Sequence, residues 1–136
     1  MILLDTVVVS ELRKARPNPN VVAWVGSLGE TDAFLSVVTI GEIERGIAEL
    51  ADAEFARTLS TWLEDLLRLY ADRVLPITAD IARRWGRLSA ELGHNGADLL
   101  VAATAASHRL TVATRNVRHF APTGVPVFDP FKARTA

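Results

Sequence analysis

Short apolar runs alternate with longer segments of helical periodicity along the whole chain. In the longer segments apolar residues recur at spacings of three and four, as they do on one face of a helix. The apolar runs suit buried strands, and they fall at residues 1–4, 33–38, 73–76, 112–114 and 125–128. Strands separated by helices favour a parallel sheet that is covered on both faces. We therefore predict an α/β protein of three layers, α/β/α, with a central, mostly parallel sheet.

The predicted order of elements is β, α, α, β, α, α, β, α, α, β, α, β. The helices are expected at residues 8–15, after Pro19, and at 40–50, 55–70, 81–92 and 99–106. Pro126 lacks a backbone N–H, so the last run is predicted to be an edge strand.

Composition favours one domain with one core, which we predict to span residues 1–136. With 136 residues, 49% of them hydrophobic, the chain can bury about two thirds of its unfolded surface. The absence of cysteine excludes disulfides and a zinc ribbon, so any metal site is expected to use oxygen ligands. The first residues run directly into Asp5 without the pattern of a signal peptide, and no apolar run approaches the roughly 18 residues of a membrane span. We therefore expect a cytoplasmic protein with no membrane partner.

The net charge of −1 conceals a gradient of charge along the chain. Residues 41–72 carry eight acidic and three basic side chains, whereas residues 109–136 carry one acidic and five basic ones. A charged ligand responds to the charges within a Debye length of about 8 to 10 Å. The near-zero total therefore does not exclude a polyanionic partner.

Four polar side chains lie on segments that meet at one edge of the predicted sheet. Asp5 ends the first strand, Glu42 is expected in the first turn of the helix after the second strand, and Asp98 begins the alanine-rich helix. Asn116 follows the strand to which that helix leads. Ligands of parallel α/β sheets bind outside the carboxyl ends of the strands. We therefore expect three carboxylates and one amide to converge there.

Helix capping is the structural alternative for each of these side chains. Glu42 stands three residues after Thr39, which is the spacing of a capping box. The other three, Asp5, Asp98 and Asn116, each suit an N-cap. Capping does not explain why all four meet at one edge, or why a carboxylate ends an apolar strand. Because clustered carboxylates need a cation, and Mg²⁺ or Mn²⁺ prefers oxygen ligands, the cluster favours phosphodiester hydrolysis.

Four segments carry a resemblance to a known protein family. They read MILLDTVVVSELRKARPNPNVVAWV, SVVTIGEIERGI, GADLLVAATAASHRLTVATRNVRHF and APTGVPVFDPF. Together they resemble the VapC/FitB-like PIN-domain ribonucleases, which are toxins of bacterial type II toxin-antitoxin pairs. The resemblance covers essentially the whole chain and implies a PIN-like form of the three-layer fold.

The resemblance implies a metal-dependent endoribonuclease in which a water activated by Mg²⁺ or Mn²⁺ hydrolyses RNA. It assigns the metal to Asp5, Glu42 and Asp98, and it adds Asn116 to the catalytic set, where many members have a fourth acid. It further implies a homodimer, a cognate antitoxin whose tail inserts near the site, and a toxin-antitoxin hetero-oligomer. Such complexes contact their promoter DNA through the antitoxin.

Hydroxyl and guanidinium groups beside the predicted site extend this assignment. Thr6 and Thr114 are expected to hydrogen-bond a water at the metal or a ligand carboxylate. Arg115 and Arg118 are expected to contact an RNA phosphate. The neighbouring His119 is interpreted as a solvent-exposed residue in preference to a phosphate contact.

Two positions depart from the family pattern. Family members usually begin Asp-Thr-Asn, whereas the third residue here is Val7, and the fourth acidic position holds the neutral Asn116. We therefore predict one well-occupied metal site and at most one labile site. The alternative function is a catalytically impaired PIN domain that acts mainly as the antitoxin-binding partner in a DNA-bound autoregulatory complex.

Other functions of α/β folds fit the sequence less well. No glycine fingerprint follows the first strand, which disfavours a dinucleotide-binding enzyme. A receiver domain would need an acidic pair at the same place. A phosphatase with a covalent aspartate would want a second acid at the position of Val7.

Overall fold

The computed structural model describes residues 1–132, and within them five strands form one parallel sheet. The strands are β1 (Ile2–Leu4), β2 (Ala33–Ser36), β3 (Val74–Leu75), β4 (Thr111–Ala113) and β5 (Val127–Phe128). The helices are α1 (Thr6–Leu12), α2 (Pro19–Gly26), α3 (Val37–Ala48), α4 (Ala53–Leu69), α5 (Ala79–Leu92), α6 (Ala97–His108) and α7 (Val117–Phe120), followed by a 3₁₀ turn (Ala121–Thr123). The α/β class and the predicted order of strands and helices are confirmed.

The order of strands in the sheet is β3-β2-β1-β4-β5, and every adjacent pair is parallel. The chain first moves from β1 outward to β2 and β3, and then crosses to β4 and β5 on the other side of β1. β5 is an edge strand, as Pro126 predicts. The direction of winding reverses between β1 and β4, and open α/β sheets have their binding crevice at such a switch point.

Alternate side chains of the strands point into two separate cores. Leu4 and Ala113 belong to a cluster with residues of α1 to α4. Their neighbours Leu3 and Val112 belong to a second cluster with residues of α6 and α7, against which Leu88 of α5 packs. Helices therefore cover both faces of the sheet, as the three-layer prediction requires.

The boundary between β2 and α3 differs from the prediction. The Ser36 hydroxyl accepts a hydrogen bond from the backbone N–H of Val38, so the helix begins at Val37 and the strand ends earlier than residue 38. The N-cap of Ser36 outweighs the strand preference of the two valines. Thr39 is therefore not an N-cap, and Glu42 lies in the second turn of α3, not in the first.

The end of the described chain packs against α2 and the loop after β4. The rings of Trp24 and Phe128 lie 5.2 Å apart, and the Asn20 side chain donates a hydrogen bond to the carbonyl of Phe131. The Arg115 guanidinium lies 3.8 Å from the centre of the Phe131 ring. Residues 133–136, with which the predicted domain and the basic tail end, lie outside the described residues. No helix within residues 1–132 has both the length and the apolar character needed to cross a membrane.

Candidate active site

A cleft of about 390 Å³ opens at the carboxyl ends of β1 and β4, at the switch point of the sheet. Its lining contains all four residues of the predicted catalytic set. The lining residues are Asp5, Thr6, Val7, Glu42, Ala97, Asp98, Asn116, His119 and Phe120. The convergence inferred from chain connectivity is therefore present in the structure.

Asp5 joins the central strand β1 to its neighbour β4 at the base of the cleft. Its side chain is buried, with the residue 8% exposed, and Oδ2 accepts a 2.8 Å hydrogen bond from the Thr114 hydroxyl. The Asp5 backbone N–H donates to the carbonyl of Ala113, and the Thr114 hydroxyl oxygen accepts from the backbone N–H of Asn116. Thr114 thus fixes both the carboxylate and the start of the following loop.

Burial raises the pKa of the Asp5 carboxyl above its ordinary value. Hydrogen bonds from the Thr114 hydroxyl and the Thr6 backbone oppose this rise in pKa. The negative charges of Glu42 and Asp98 add to the rise. Three carboxylates in mutual repulsion, one of them buried, make this cleft favourable for a cation.

Glu42 is held at the cleft by the first residue of α1. The Thr6 hydroxyl donates a 2.6 Å hydrogen bond to Oε1 of Glu42 and lies 3.1 Å from the hydroxyl of the fully buried Thr39. This chain of side chains connects α1 to α3. Glu42 itself is exposed, so its other oxygen faces solvent or a ligand.

Asp98 lies in the first turn of α6, whose N-cap is Gly96. A Cβ atom on residue 96 would lie 2.6 Å from Oδ1 of Asp98, which is too close for both atoms to stay in place. Glycine at residue 96 therefore allows the Asp98 carboxylate to occupy its observed position. The Nδ1 atom of His119 lies 3.8 Å from Oδ2 of the same carboxylate.

The structure disfavours the capping alternative for each of the four side chains. Asp5 and Asn116 occupy the N-cap positions of α1 and α7, but neither side chain makes a capping hydrogen bond. Asp98 follows the N-cap of its helix, and the Thr39 to Glu42 capping box is absent because α3 begins at Val37. Helix capping therefore does not account for any of the four side chains.

The donors in the cleft suit a hard divalent cation in their chemistry. Mg²⁺ commonly binds through one or two protein carboxylates and completes its shell with waters and phosphate oxygens. Within residues 1–132 no three His, Asp or Glu side chains lie close enough together to hold an ion by themselves. The arrangement therefore fits an ion that shares its coordination with water and substrate, and not an all-protein cage.

The side chains predicted beside the site divide into two groups. Thr6 lines the cleft and Thr114 bonds to Asp5, whereas Arg115 and Arg118 are exposed residues outside the lining. Sequence reasoning missed His119 as a lining residue. Its spacing of three from Asn116, on one face of a short helix, is the signal that identifies it.

The sequence of this chain is similar to those of known proteins over nearly its whole length. Residues 2–124 match the family described as the PIN domain. The chain is 39% identical over 137 residues to toxin FitB of Neisseria gonorrhoeae (strain ATCC 700825 / FA 1090), covering 96% of this chain and 99% of FitB. It is 35% identical over 138 residues to VapC ribonuclease Y4jK of Sinorhizobium fredii (strain NBRC 101917 / NGR234), covering 97% of this chain and 99% of that protein.

Solved structures show the same similarity in three dimensions. FitAcB from Neisseria gonorrhoeae matches with a TM-score of 0.89 and 39% identity, covering 98% of this chain and 100% of the matched chain. FitAB bound to the IR36 DNA fragment matches with a TM-score of 0.88 and 37% identity, covering 99% of both chains.

Gly96→Ala tests whether the absence of a Cβ atom at residue 96 determines the position of the Asp98 carboxylate. We expect the affinity for Mn²⁺, measured by titration calorimetry, to fall by about tenfold or more because the added methyl displaces Oδ1. The matched control is Gly86→Ala in α5, where a Cβ meets nothing within 4 Å. The control should bind Mn²⁺ with the affinity of the unmodified protein. Its free energy of unfolding should be roughly 0.5 to 1 kcal/mol higher than that of the unmodified protein. Equal Mn²⁺ affinities of the two variants would contradict this role.

Asp5→Asn tests the electrostatic cost of the buried carboxylate. A raised native pKa means that ionisation of Asp5 costs stability as the pH rises through that pKa. We therefore expect Asp5→Asn, which keeps an acceptor for Thr114, to melt at a higher temperature than the unmodified protein at neutral pH in EDTA. The difference should shrink in acid, where Asp5 is protonated. A lower melting temperature of the variant at neutral pH would show that burial does not penalise the charge.

Proposed function

The chain belongs to the PIN-domain family, among the VapC/FitB-type toxins, and from this premise we propose that it is a cytoplasmic, metal-dependent endoribonuclease of a type II toxin-antitoxin pair. The observation that carries the proposal is the meeting of Asp5, Glu42 and Asp98 in one cleft at the switch point of the sheet. The reaction is hydrolysis of an RNA phosphodiester bond.

Charge in the cleft supports a metal-dependent reaction. An RNA phosphate brings a negative charge to three carboxylates, so binding without a cation would be opposed by repulsion. Asp5, Asp98 and Glu42 would hold the ion together with waters and phosphate oxygens, since no three such side chains surround an ion by themselves within residues 1–132. A bound Mg²⁺ or Mn²⁺ supplies neutralisation of the phosphate charge and a lower pKa of the attacking water.

The protein side chains then position the groups that react. Thr114 holds the Asp5 carboxylate, and Thr6 holds Oε1 of Glu42. Oε2 of Glu42 has no hydrogen-bond partner within residues 1–132 and is our candidate acceptor for the proton of the attacking water. The water oxygen forms its bond to phosphorus as the bond to the leaving oxygen breaks, and the leaving oxygen takes up a proton from solvent. Arg118, exposed on α7, remains a proposed contact for a phosphate farther along the RNA.

An apolar groove beside the cleft supports the antitoxin as a partner. It has a volume of about 190 Å³ and runs between α1, α3 and α4. Its lining residues are Thr6, Ser10, Arg13, Glu42, Ile43, Gly46, Ile47, Leu50, Phe55, Leu59 and Trp62. Because Thr6 and Glu42 also line the cleft, a segment bound in this groove extends to the edge of the cleft at the Glu42 carboxylate.

The assembly that we propose follows the solved relatives. One of them is FitAB bound to the IR36 DNA fragment. We propose that this chain forms a homodimer, joins its antitoxin in a hetero-oligomer, and contacts promoter DNA through the antitoxin. A monomeric mass of the isolated protein in sedimentation equilibrium would contradict the dimer.

Asp98→Asn tests the nuclease assignment. We expect cleavage of total bacterial RNA to fall by about 100-fold or more, and growth inhibition on expression to disappear, because a candidate metal ligand loses its charge. Asp72→Asn is the matched control, since that side chain is 88% exposed and lies outside the cleft. If the Asp98 variant still cleaves RNA and inhibits growth, the nuclease assignment fails.

A second candidate function is a PIN domain impaired in cleavage that acts mainly by binding its antitoxin. Val7 lines the cleft without a hydrogen-bonding side chain, and Asn116 adds no charge there, which favours this alternative. Val7→Asn in the same cleavage assay separates the two functions. A large gain in activity supports the hypothesis that the unmodified domain is impaired in cleavage. Unchanged activity supports the hypothesis that the unmodified protein is an active ribonuclease.

Phe55→Glu tests the groove as the antitoxin surface. Phe55 is 41% exposed in the groove, so we expect a charge there to weaken binding of the antitoxin by about tenfold or more while RNA cleavage persists. Leu69→Glu is the control, because Leu69 is an exposed apolar residue of the same helix outside the groove. A type II pair is expected to encode its antitoxin next to the toxin, so the assay co-expresses the product of the adjacent open reading frame with each variant. Equal relief of toxicity in both variants would place the antitoxin elsewhere.

A further inference from the structure

His119 is the one lining residue, among the nine described residues of the cleft, whose side chain can carry a positive charge. Three of the other lining side chains are carboxylates, and the Thr6 hydroxyl is already bonded to Glu42. A phosphate that enters the cleft therefore finds few protein donors. The imidazole of His119 and the amide of Asn116 are the lining side chains with free N–H donors, and of the two only the imidazole can also carry a positive charge.

The backbone around His119 is fixed by its neighbours. Phe120 is buried in the second core cluster and anchors α7 to the sheet. The backbone N–H of His119 donates to the carbonyl of Asn116, and the Thr123 hydroxyl donates to the carbonyl of Phe120. The histidine therefore projects from a rigid support, although its helix is only one turn long.

The imidazole itself is open to a ligand. The side chain is 67% exposed, and Nδ1 lies 3.8 Å from Oδ2 of Asp98, which is longer than a hydrogen bond. Within residues 1–132 neither ring nitrogen of His119 makes a hydrogen bond, and the only ion-pair neighbour of the ring there is the Asp98 carboxylate. An imidazole carries at least one N–H in either protonation state, so a donor is present at neutral pH whatever its charge.

We propose that His119 binds the RNA phosphate in the cleft by donating a ring N–H to a nonbridging phosphate oxygen. This inference rests on the proposed ribonuclease function and adds a protein donor to it. A phosphate bound in the cleft would then be contacted from two sides. The cation at the carboxylate cluster lies on one side, and the imidazole lies on the other. The long distance to Asp98 disfavours the alternative that His119 serves to orient that carboxylate.

The test compares His119→Ala with His119→Gln, which keeps an N–H donor, and with His108→Ala. His108 is exposed at the end of α6 that lies away from the cleft and provides the matched control. The probe is a labelled single-stranded RNA of mixed sequence, bound in Ca²⁺ and checked by gel for cleavage. We expect His119→Ala to weaken RNA binding by about tenfold, with His119→Gln and His108→Ala close to the unmodified protein.

Mn²⁺ calorimetry and thermal melting on the same variants separate phosphate binding from a structural role. Unchanged Mn²⁺ affinity and melting temperature in His119→Ala, together with weakened RNA binding, support the inference. Unchanged RNA binding overturns it, and so does a parallel loss of Mn²⁺ affinity, which would make His119 a positioning residue for Asp98. If the unmodified protein itself binds no RNA, the proposed nuclease function fails as well, so the two failures are distinguishable.

Discussion

The hydrogen bond from the Thr114 hydroxyl to Oδ2 of Asp5 is the interaction on which the cleft depends. It connects the end of the central strand β1 to the end of its neighbour β4, at the place where the winding of the sheet reverses. The same hydroxyl oxygen accepts from the backbone of Asn116 and so sets the start of α7. One threonine thus positions a buried carboxylate, a neutral amide and the helix that carries His119.

Two buried carboxylates, Glu11 and Asp5, have opposite electrostatic environments. The Lys14 ammonium and the Asn18 backbone N–H bond to Glu11 and lower its pKa, so this carboxylate is satisfied by the fold. Asp5 has one hydroxyl partner, and its pKa is raised by burial and by neighbouring carboxylates. A group left in that state is stabilised by a ligand that brings positive charge.

The sequence predicts the class, the order of elements and the meeting of the four catalytic candidates, because all three follow from periodicity and connectivity. It does not predict where α3 begins, since the cap of Ser36 overrides the strand preference of Val37 and Val38. It also misses His119, because the direction of a side chain on a one-turn helix depends on how deeply Phe120 is anchored. The position of the Arg115 guanidinium is also not predictable from the sequence, because it is determined by packing against Phe131.

The distance along the chain between Asp5 and Thr114 has a consequence for biosynthesis. The two residues are 109 positions apart, and β1 needs β4 beside it before the base of the cleft exists. Synthesis proceeds from the N-terminus onward, so β1 can pair with β4 only after residues 111–113 have been added to the chain. A nascent chain that ends before β4 thus already contains Asp5, Glu42 and Asp98, but it lacks the strand and the threonine that complete their cleft.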